Sequence, residues 1–186
     1  MKGGTTLTAA ADADLLAAAA RGDRHAFAQL YDRHAGPVYR FCLAHLRDRE
    51  AAADACQETF AAVWSAAAAY AGSGPVLAWI LGIARRKSAD QLRTATRQAE
   101  RTAAFGAEGT DPGYAARVEE AVDVWAAISR LPEAQQEAVL LTYGLGLSCQ
   151  EAGQAMGVPT GTVKSRLHAA RAALAQTLQR SPGVRP

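Results

Sequence analysis

The chain has little of what marks an enzyme, a secreted scaffold or a membrane protein. Cysteine occurs only at Cys42, Cys56 and Cys149, an odd count without the spacing of a disulfide framework, which fits a reducing cytoplasm. Residues 15–20 are far too short an apolar run to cross a bilayer, and the first eleven residues, with one lysine, carry no export signal; no membrane insertion is expected. There is no Gly-rich phosphate loop, no H-E-x-x-H string and no Ser, His and acid set, so neither catalysis nor a cofactor is expected. Cys42 and His45 on one helix with Cys56 on the next could be imagined as a metal site. Cys56 falls on an apolar stripe, however, where a buried free thiol is the ordinary outcome, and no metal is expected. The net charge of +2 over 186 residues is too small to imply nucleic acid by itself. Any such argument rests on where the charges sit.

They are segregated. From Ala152 to the end there is no acidic residue, while Lys164, Arg166, Arg171, Arg180 and Arg185 are all positive. The same region, residues 148–174, reads as two helices joined by a tight turn. Ser148 and Glu151 form an S-x-x-E capping box, in which each side chain satisfies a backbone N–H left open at a helix start. Gly157 can supply the positive φ needed to leave that helix, and Pro159 precedes Thr160, expected as the N-cap of the next. A short helix, a Gly-containing turn and a longer basic helix form a helix-turn-helix, whose second helix lies in the DNA major groove. At about 100° per residue, Val163, Leu167, Ala170, Leu174 and Leu178 fall on one buried stripe. Ser165 then points away from it, flanked by Lys164 and His168 on one side and Thr162 and Arg166 on the other. Arg171 sits nearer the core boundary, where its stem could pack while the guanidinium reaches a phosphate.

The hydrophobic fraction of 49% is rich in alanine, so small helical units are expected rather than one large core. Residues 1–11 read as a disordered tail. From residue 12 a short helix leads into a longer one with Phe27, Leu30, Tyr31, Val38, Phe41, Cys42 and Leu46 as core material, bent or interrupted at Pro37. Residues 50–65 place Ala53, Cys56, Phe60, Val63 and Trp64 on one face and Glu50, Asp54, Gln57, Glu58 and Ser65 on the other. That acidic face is either simply solvated or a docking surface for a basic or polar groove. After a Gly-Ser-Gly loop, a helix from Pro75 to about Arg97 carries a core stripe of Leu77, Ile80, Leu81, Ala84, Ser88 and Leu92. Trp79, Arg86, Asp90, Arg93 and Arg97 lie opposite. An exposed indole in line with arginines suits stacking of an unpaired base beside phosphate contacts, unless the preceding loop covers it.

Periodicity fades after Thr94, and Gly106, Gly109 and Asp111-Pro112-Gly113 indicate a flexible linker over 98–115. The second unit, 116–180, is expected to hold four helices, one ending at Arg130-Leu131 and another opened by Pro132, with Glu133 and Glu137 near its positive end. A tail covers 181–186. The fold class is all-α: two small helical domains joined by a flexible linker, the C-terminal one ending in the helix-turn-helix.

Five motifs in order, LYDRHAGPVYRF (30–41), DACQETFAAVW (54–64), AWILGIARRKSADQLR (78–93), LPEAQQEAVLL (131–141) and GTVKSRLHAARAAL (161–174), resemble a bacterial RNA polymerase sigma factor of the extracytoplasmic-function (ECF) type in the sigma-70 superfamily. The resemblance implies a region 2 like domain over 12–97 that binds core polymerase through Asp54, Gln57 and Glu58. It implies contact of Tyr70, Trp79, Arg85, Arg86, Lys87 and Arg93 with the melted −10 element. It also implies a region 4 like domain that places Thr160, Thr162, Lys164, Ser165, Arg166, His168 and Arg171 on the −35 element. The implied partners are core RNA polymerase, promoter DNA and an anti-sigma factor, in the cytoplasm. The protein would do no chemistry itself but direct polymerase to promoters and assist melting. Arg86 departs from a frequent Asn of the family, Cys149 from an aromatic and Ala169 from an arginine. A regulator that binds duplex DNA without joining polymerase would need only the second unit and leave the first unexplained.

Overall fold

A computed structural model describes residues 5–72, 74–103 and 127–180, with side chains placed from 11 to 72, 74 to 98 and 127 to 176. The described residues form helices and short connections, without a strand: α1 Thr5–Ala20, α2 Arg24–Leu46, α3 Arg49–Ala66, α4 Val76–Ala103, α5 Glu133–Val139, α6 Cys149–Met156 and α7 Thr160–Arg180. A 3₁₀ turn, Ala67–Ala69, comes after α3, and a π-helical turn, Leu140–Gly144, after α5. The chain separates into two compact units, the first drawn mainly from residues 5–103 and the second mainly from residues 127–180. The expected linker beyond residue 103, the start of the helix ending near Arg130 and the tail from residue 181 lie outside the described residues.

In the first unit α2 packs against α1, α3 and α4, and α3 against α4. Leu16 of α1, Leu30, Val38 and Phe41 of α2, Phe60 and Val63 of α3, and Ile80, Leu81 and Ala84 of α4 are buried together as its core. The helix starts are capped by acids: Asp23 accepts from the backbone N–H of His25 and Ala26, and Asp48 from that of Ala51. Arg47 closes α2 in the left-handed conformation at φ 56, its N–H donating to the Leu43 carbonyl.

In the first unit the structure corrects or narrows several expectations. Helix α1 begins at Thr5, so a helix covers most of the expected tail; alanine-rich sequence has a high helix propensity. Of the two outcomes expected at Pro37, interruption does not occur, and α2 runs through it; Gly36, lacking a Cβ, eases the crowding that a proline ring imposes on the preceding residue in helical conformation. Tyr31 is 42% exposed instead of core, and its ring meets Phe60 edge-on with centroids 4.7 Å apart. Helix α4 continues through Thr94 to Ala103, although residues 92–98 are exposed, Leu92 at 38% among them. The Thr94 and Thr96 hydroxyls are satisfied by the carbonyls of Asp90 and Leu92, and the intervening Gln, Ala and Arg favour helix without packing.

A buried polar cluster ties α1 to α2. Asp12, 5% exposed, accepts from Arg33 Nη1 at 2.6 Å and from His34 Nε2 at 2.9 Å. A carboxylate only accepts, so Nε2 carries the proton and neutral His34 serves as donor. Burial is the dominant influence on His34 and lowers its pKa below 6.5, outweighing the nearby Asp12 charge. The folded state therefore binds the extra proton less readily than the unfolded chain. Stability contributed by His34 is full above about pH 6.5 and is lost as pH falls toward the depressed folded value. We expect His34→Gln, which can keep a donor toward Asp12, to flatten the acid limb of the unfolding midpoint between about pH 7 and 5, measured by circular dichroism. An acid limb identical to that of the parent would reject this role for His34.

In the second unit α5 packs on α7. Pro132 precedes α5 and its carbonyl accepts from Gln136 N–H at 3.1 Å, making it the cap position instead of the first helical residue. Only Glu133 lies in the first turn of α5, where the dipole acts most strongly; Glu137 follows one turn later and is buried.

Candidate nucleic-acid interface

The helix-turn-helix is built from local interactions. Ser148 N–H donates to Glu151 Oε2 at 2.6 Å, and Glu151 N–H donates to Ser148 Oγ at 3.2 Å, so the capping box is complete. Gly157 adopts φ +67, and Val158 N–H turns back to the Gly153 carbonyl at 2.9 Å. The start of α7 differs from expectation. The Pro159 carbonyl accepts from Thr162 and Val163 N–H, so Pro159 is the cap residue and Thr160 lies in the first turn. Proline at this point loses nothing, because the first helical donors have no partner in the helix.

Along α7, Val163, Leu167 and Ala170 are buried and Leu174 is half-buried, whereas Lys164, Ser165, His168 and Arg171 are exposed. Thr160, Thr162 and Arg166 are half-buried at the border. Ser165 Oγ donates to the Thr162 carbonyl at 2.9 Å, which leaves the oxygen lone pairs, not the hydroxyl proton, facing outward. Arg171 does not extend alone toward solvent: its Nε donates to the Tyr143 hydroxyl at 2.9 Å, Nη2 donates to the same oxygen, and the guanidinium carbon lies 5.6 Å from the Tyr143 ring centroid.

In the first unit a cleft of about 380 Å³ opens between α3, the 3₁₀ turn and α4. Ala62, Ala66 and Ala69 line one side, and Trp79, Ile83, Arg86, Lys87 and Asp90 the other. The small side chains of α3 make the space, and Trp79 and the basic groups of α4 give it an aromatic wall with a charged edge. Trp79 is half-buried, with the Tyr70 ring edge-on at 5.5 Å. Loop cover and an accessible indole thus coexist. Tyr70 is held by a hydrogen bond from its hydroxyl to the Gly74 carbonyl, and burial, with Asp12 nearby, raises the phenol pKa so that it stays a neutral donor.

The core stripe of α4 keeps Ile80, Leu81, Ala84 and Ser88 as expected but is broader. Val76, Ala78, Ile80, Leu81, Ile83, Ala84 and Ser88 are buried, Leu77 is half-buried, and Leu92 lies beyond the bundle. Among the cations expected to meet DNA, Arg85 and Arg86 are exposed, Lys87 Nζ pairs with Glu58 Oε2 at 3.2 Å, and Arg93 pairs with Asp90 on the same helix. Asp54, Gln57 and Glu58 are all exposed on α3.

The cysteines do not form a site. Cys42 is buried, and desolvation pushes its thiol up to about 11, which makes it a poor nucleophile and a poor metal ligand. Burial raises Cys56 as well, and its thiol points at the Ala35 carbonyl, 3.8 Å away. Among the described residues no group of three His, Cys, Asp or Glu could hold a metal ion, and no helix is long and apolar enough to cross a membrane.

This arrangement has close relatives. Residues 30–98 match the family Sigma-70 region 2, and residues 121–174 match Sigma-70, region 4. The ECF RNA polymerase sigma factor SigM of Mycobacterium tuberculosis (strain ATCC 25618 / H37Rv) is 36% identical over 167 residues, covering 90% of this chain and 84% of the relative. SigK of Mycobacterium ulcerans (strain Agy99), also an ECF sigma factor, is 31% identical over 174 residues, covering 90% and 93% respectively. The structure of CnrH in complex with the cytosolic domain of CnrY matches with a TM-score of 0.70 at 27% identity, over 92% of this chain and 99% of that one. The chain belongs to the ECF RNA polymerase sigma factors. Its function is accordingly to bind core RNA polymerase and direct it to promoters for the initiation of transcription.

Proposed function

We propose that the two units divide promoter opening between them, and that the cleft beside Trp79 carries the melting step. The observation behind this is the half-exposed indole at the mouth of an apolar-walled space edged by Arg86 and Lys87. An unpaired base of the −10 element stacks on Trp79 or enters the cleft under Tyr70, while Arg85, Arg86, Lys87 and Arg93 meet the adjoining phosphates. Thr160, Thr162, Lys164, Ser165, Arg166, His168 and Arg171 face the −35 element as duplex, with the N-terminal half of α7 toward the bases. Asp54, Gln57 and Glu58 form the acidic surface that docks on core polymerase. The protein performs no catalytic step: holding DNA and polymerase together and trapping unpaired bases suffices. It works in the cytoplasm, and the binding of the cytosolic domain of CnrY to CnrH supports a protein partner here as well, which we take to be an anti-sigma factor.

The test is made on the holoenzyme, using a promoter duplex that it selects from a genomic fragment library. Lys164→Ala or Arg166→Ala should each weaken binding of the upstream duplex by about 5- to 150-fold, the range for losing one specific contact, while co-elution with core polymerase is unchanged. Loss of core association in these variants, or unchanged duplex affinity, would overturn the assignment of faces.

A further inference from the structure

We infer that Tyr143 is a positioning residue for upstream-element binding: it fixes the Arg171 guanidinium and, together with it, offers one DNA phosphate a paired set of donors. This rests on the reading of α7 as the duplex-binding helix. Tyr143 is 58% exposed, a conspicuous placement for a large aromatic ring in a small helical unit. The backbone explains how it comes to be there. After Val139 the helix widens into the π turn Leu140–Gly144, with Leu145 N–H bonding to the Leu140 carbonyl at 2.9 Å. The extra residue in this turn shifts the helical register, leaving Leu141 fully buried and Tyr143 outside.

Outside, the ring holds Arg171. The hydroxyl oxygen accepts from both Nε and Nη2, and the ring sits beside the guanidinium carbon at 5.6 Å. The oxygen is the acceptor in both bonds, so the phenolic hydrogen remains to be donated elsewhere. A guanidinium has five N–H donors, and those not directed at Tyr143 remain available on the same side chain. An arginine otherwise loses considerable rotamer entropy on binding a phosphate, and a guanidinium already fixed by a rigid aromatic loses less. A phosphate oxygen beside this pair would receive one O–H and one charge-assisted N–H bond. Such a contact sets the register of α7 on the duplex and carries no base preference.

The experiment measures holoenzyme affinity for the same selected upstream duplex over a range of salt concentrations. Tyr143→Phe keeps the ring and its packing and loses only the hydroxyl. We expect it to weaken binding about 3- to 10-fold, within the range for losing one ordinary, solvent-accessible hydrogen bond, equally for matched and base-substituted elements. The salt slope should stay unchanged, because no charge is lost. Arg171→Ala should weaken binding and reduce the slope by about one counterion, and adding Tyr143→Phe to it should cost less than Tyr143→Phe costs alone, because the part of its effect that acts through Arg171 is already gone. An affinity unchanged in Tyr143→Phe, or losses that simply add in the double variant, would overturn the inference. If Lys164→Ala and Arg166→Ala still weaken binding in that case, only the role of Tyr143 fails; if they do not, the reading of α7 fails with it.

Discussion

Trp79→Ala is expected to lower open-complex formation by the holoenzyme about 10- to 100-fold, since stacking of one base on an aromatic is worth ~1–3 kcal/mol. The indole forms one wall of the cleft between α3 and α4, and its removal leaves Ala62, Ala66 and Ala69 with no planar surface opposite. Permanganate reactivity of unpaired thymines measures the melted state directly, and a pre-opened fork template separates trapping from duplex binding. The defect should persist on the fork template, while affinity for the upstream duplex and for core polymerase stays at the parent level. Trp79→Phe should restore part of the activity, because a smaller ring still stacks. Normal thymine reactivity in Trp79→Ala would remove the cleft from the melting step.

Gly153→Ala should disable the helix-turn-helix through a single methyl group. A Cβ at this position would stand 2.8 Å from the Val158 carbonyl oxygen and 3.6 Å from Thr160 N. Both atoms belong to the backbone of the turn, so no side-chain rotation relieves the contact, and the turn between α6 and α7 must open. Overpacking of this kind costs about 1–3 kcal/mol. The second unit should unfold at lower denaturant concentration, and upstream-duplex affinity should fall by up to about 100-fold as α7 is re-aimed. Gly161→Ala is the control: it lies in the first turn of α7 with no heavy atom within 4 Å of the added Cβ. Parent-like stability and binding in Gly153→Ala would show that the turn has slack the packing denies.

The features legible in the chain and those hidden from it divide by sequence distance. The Ser148–Glu151 exchange and the positive φ of Gly157 are set by residues within one turn of each other, and both were visible in the letters. The outward face of α7 came from periodicity alone. Asp12, by contrast, meets partners 21 and 22 residues away, and nothing local announces that pairing. A signal did exist: Asp12 shares a face with Leu16 and Ala19, and His34 falls between Leu30 and Val38 at four-residue spacing, so both polar groups occupy core positions. The extra width of the α4 stripe and the exposure of Tyr31 are hidden because each depends on how neighbouring helices meet. Nothing in the sequence marks Tyr143, because the letters do not announce the extra residue of a π turn. Its contact with Arg171 spans 28 residues.

The ion pair between Lys87 and Glu58 has a consequence for dissecting the two activities. The two side chains stand 3.2 Å apart and are 33% and 52% exposed, one assigned to DNA and the other to polymerase. Removing either leaves its mate differently solvated and differently oriented, so neither single variant reports on one partner alone. A double-mutant cycle separates the direct loss from the coupling, which for so exposed a pair is at most about 1 kcal/mol. Only a polymerase-binding defect in a Glu58 variant that survives subtraction of this coupling belongs to the docking surface itself.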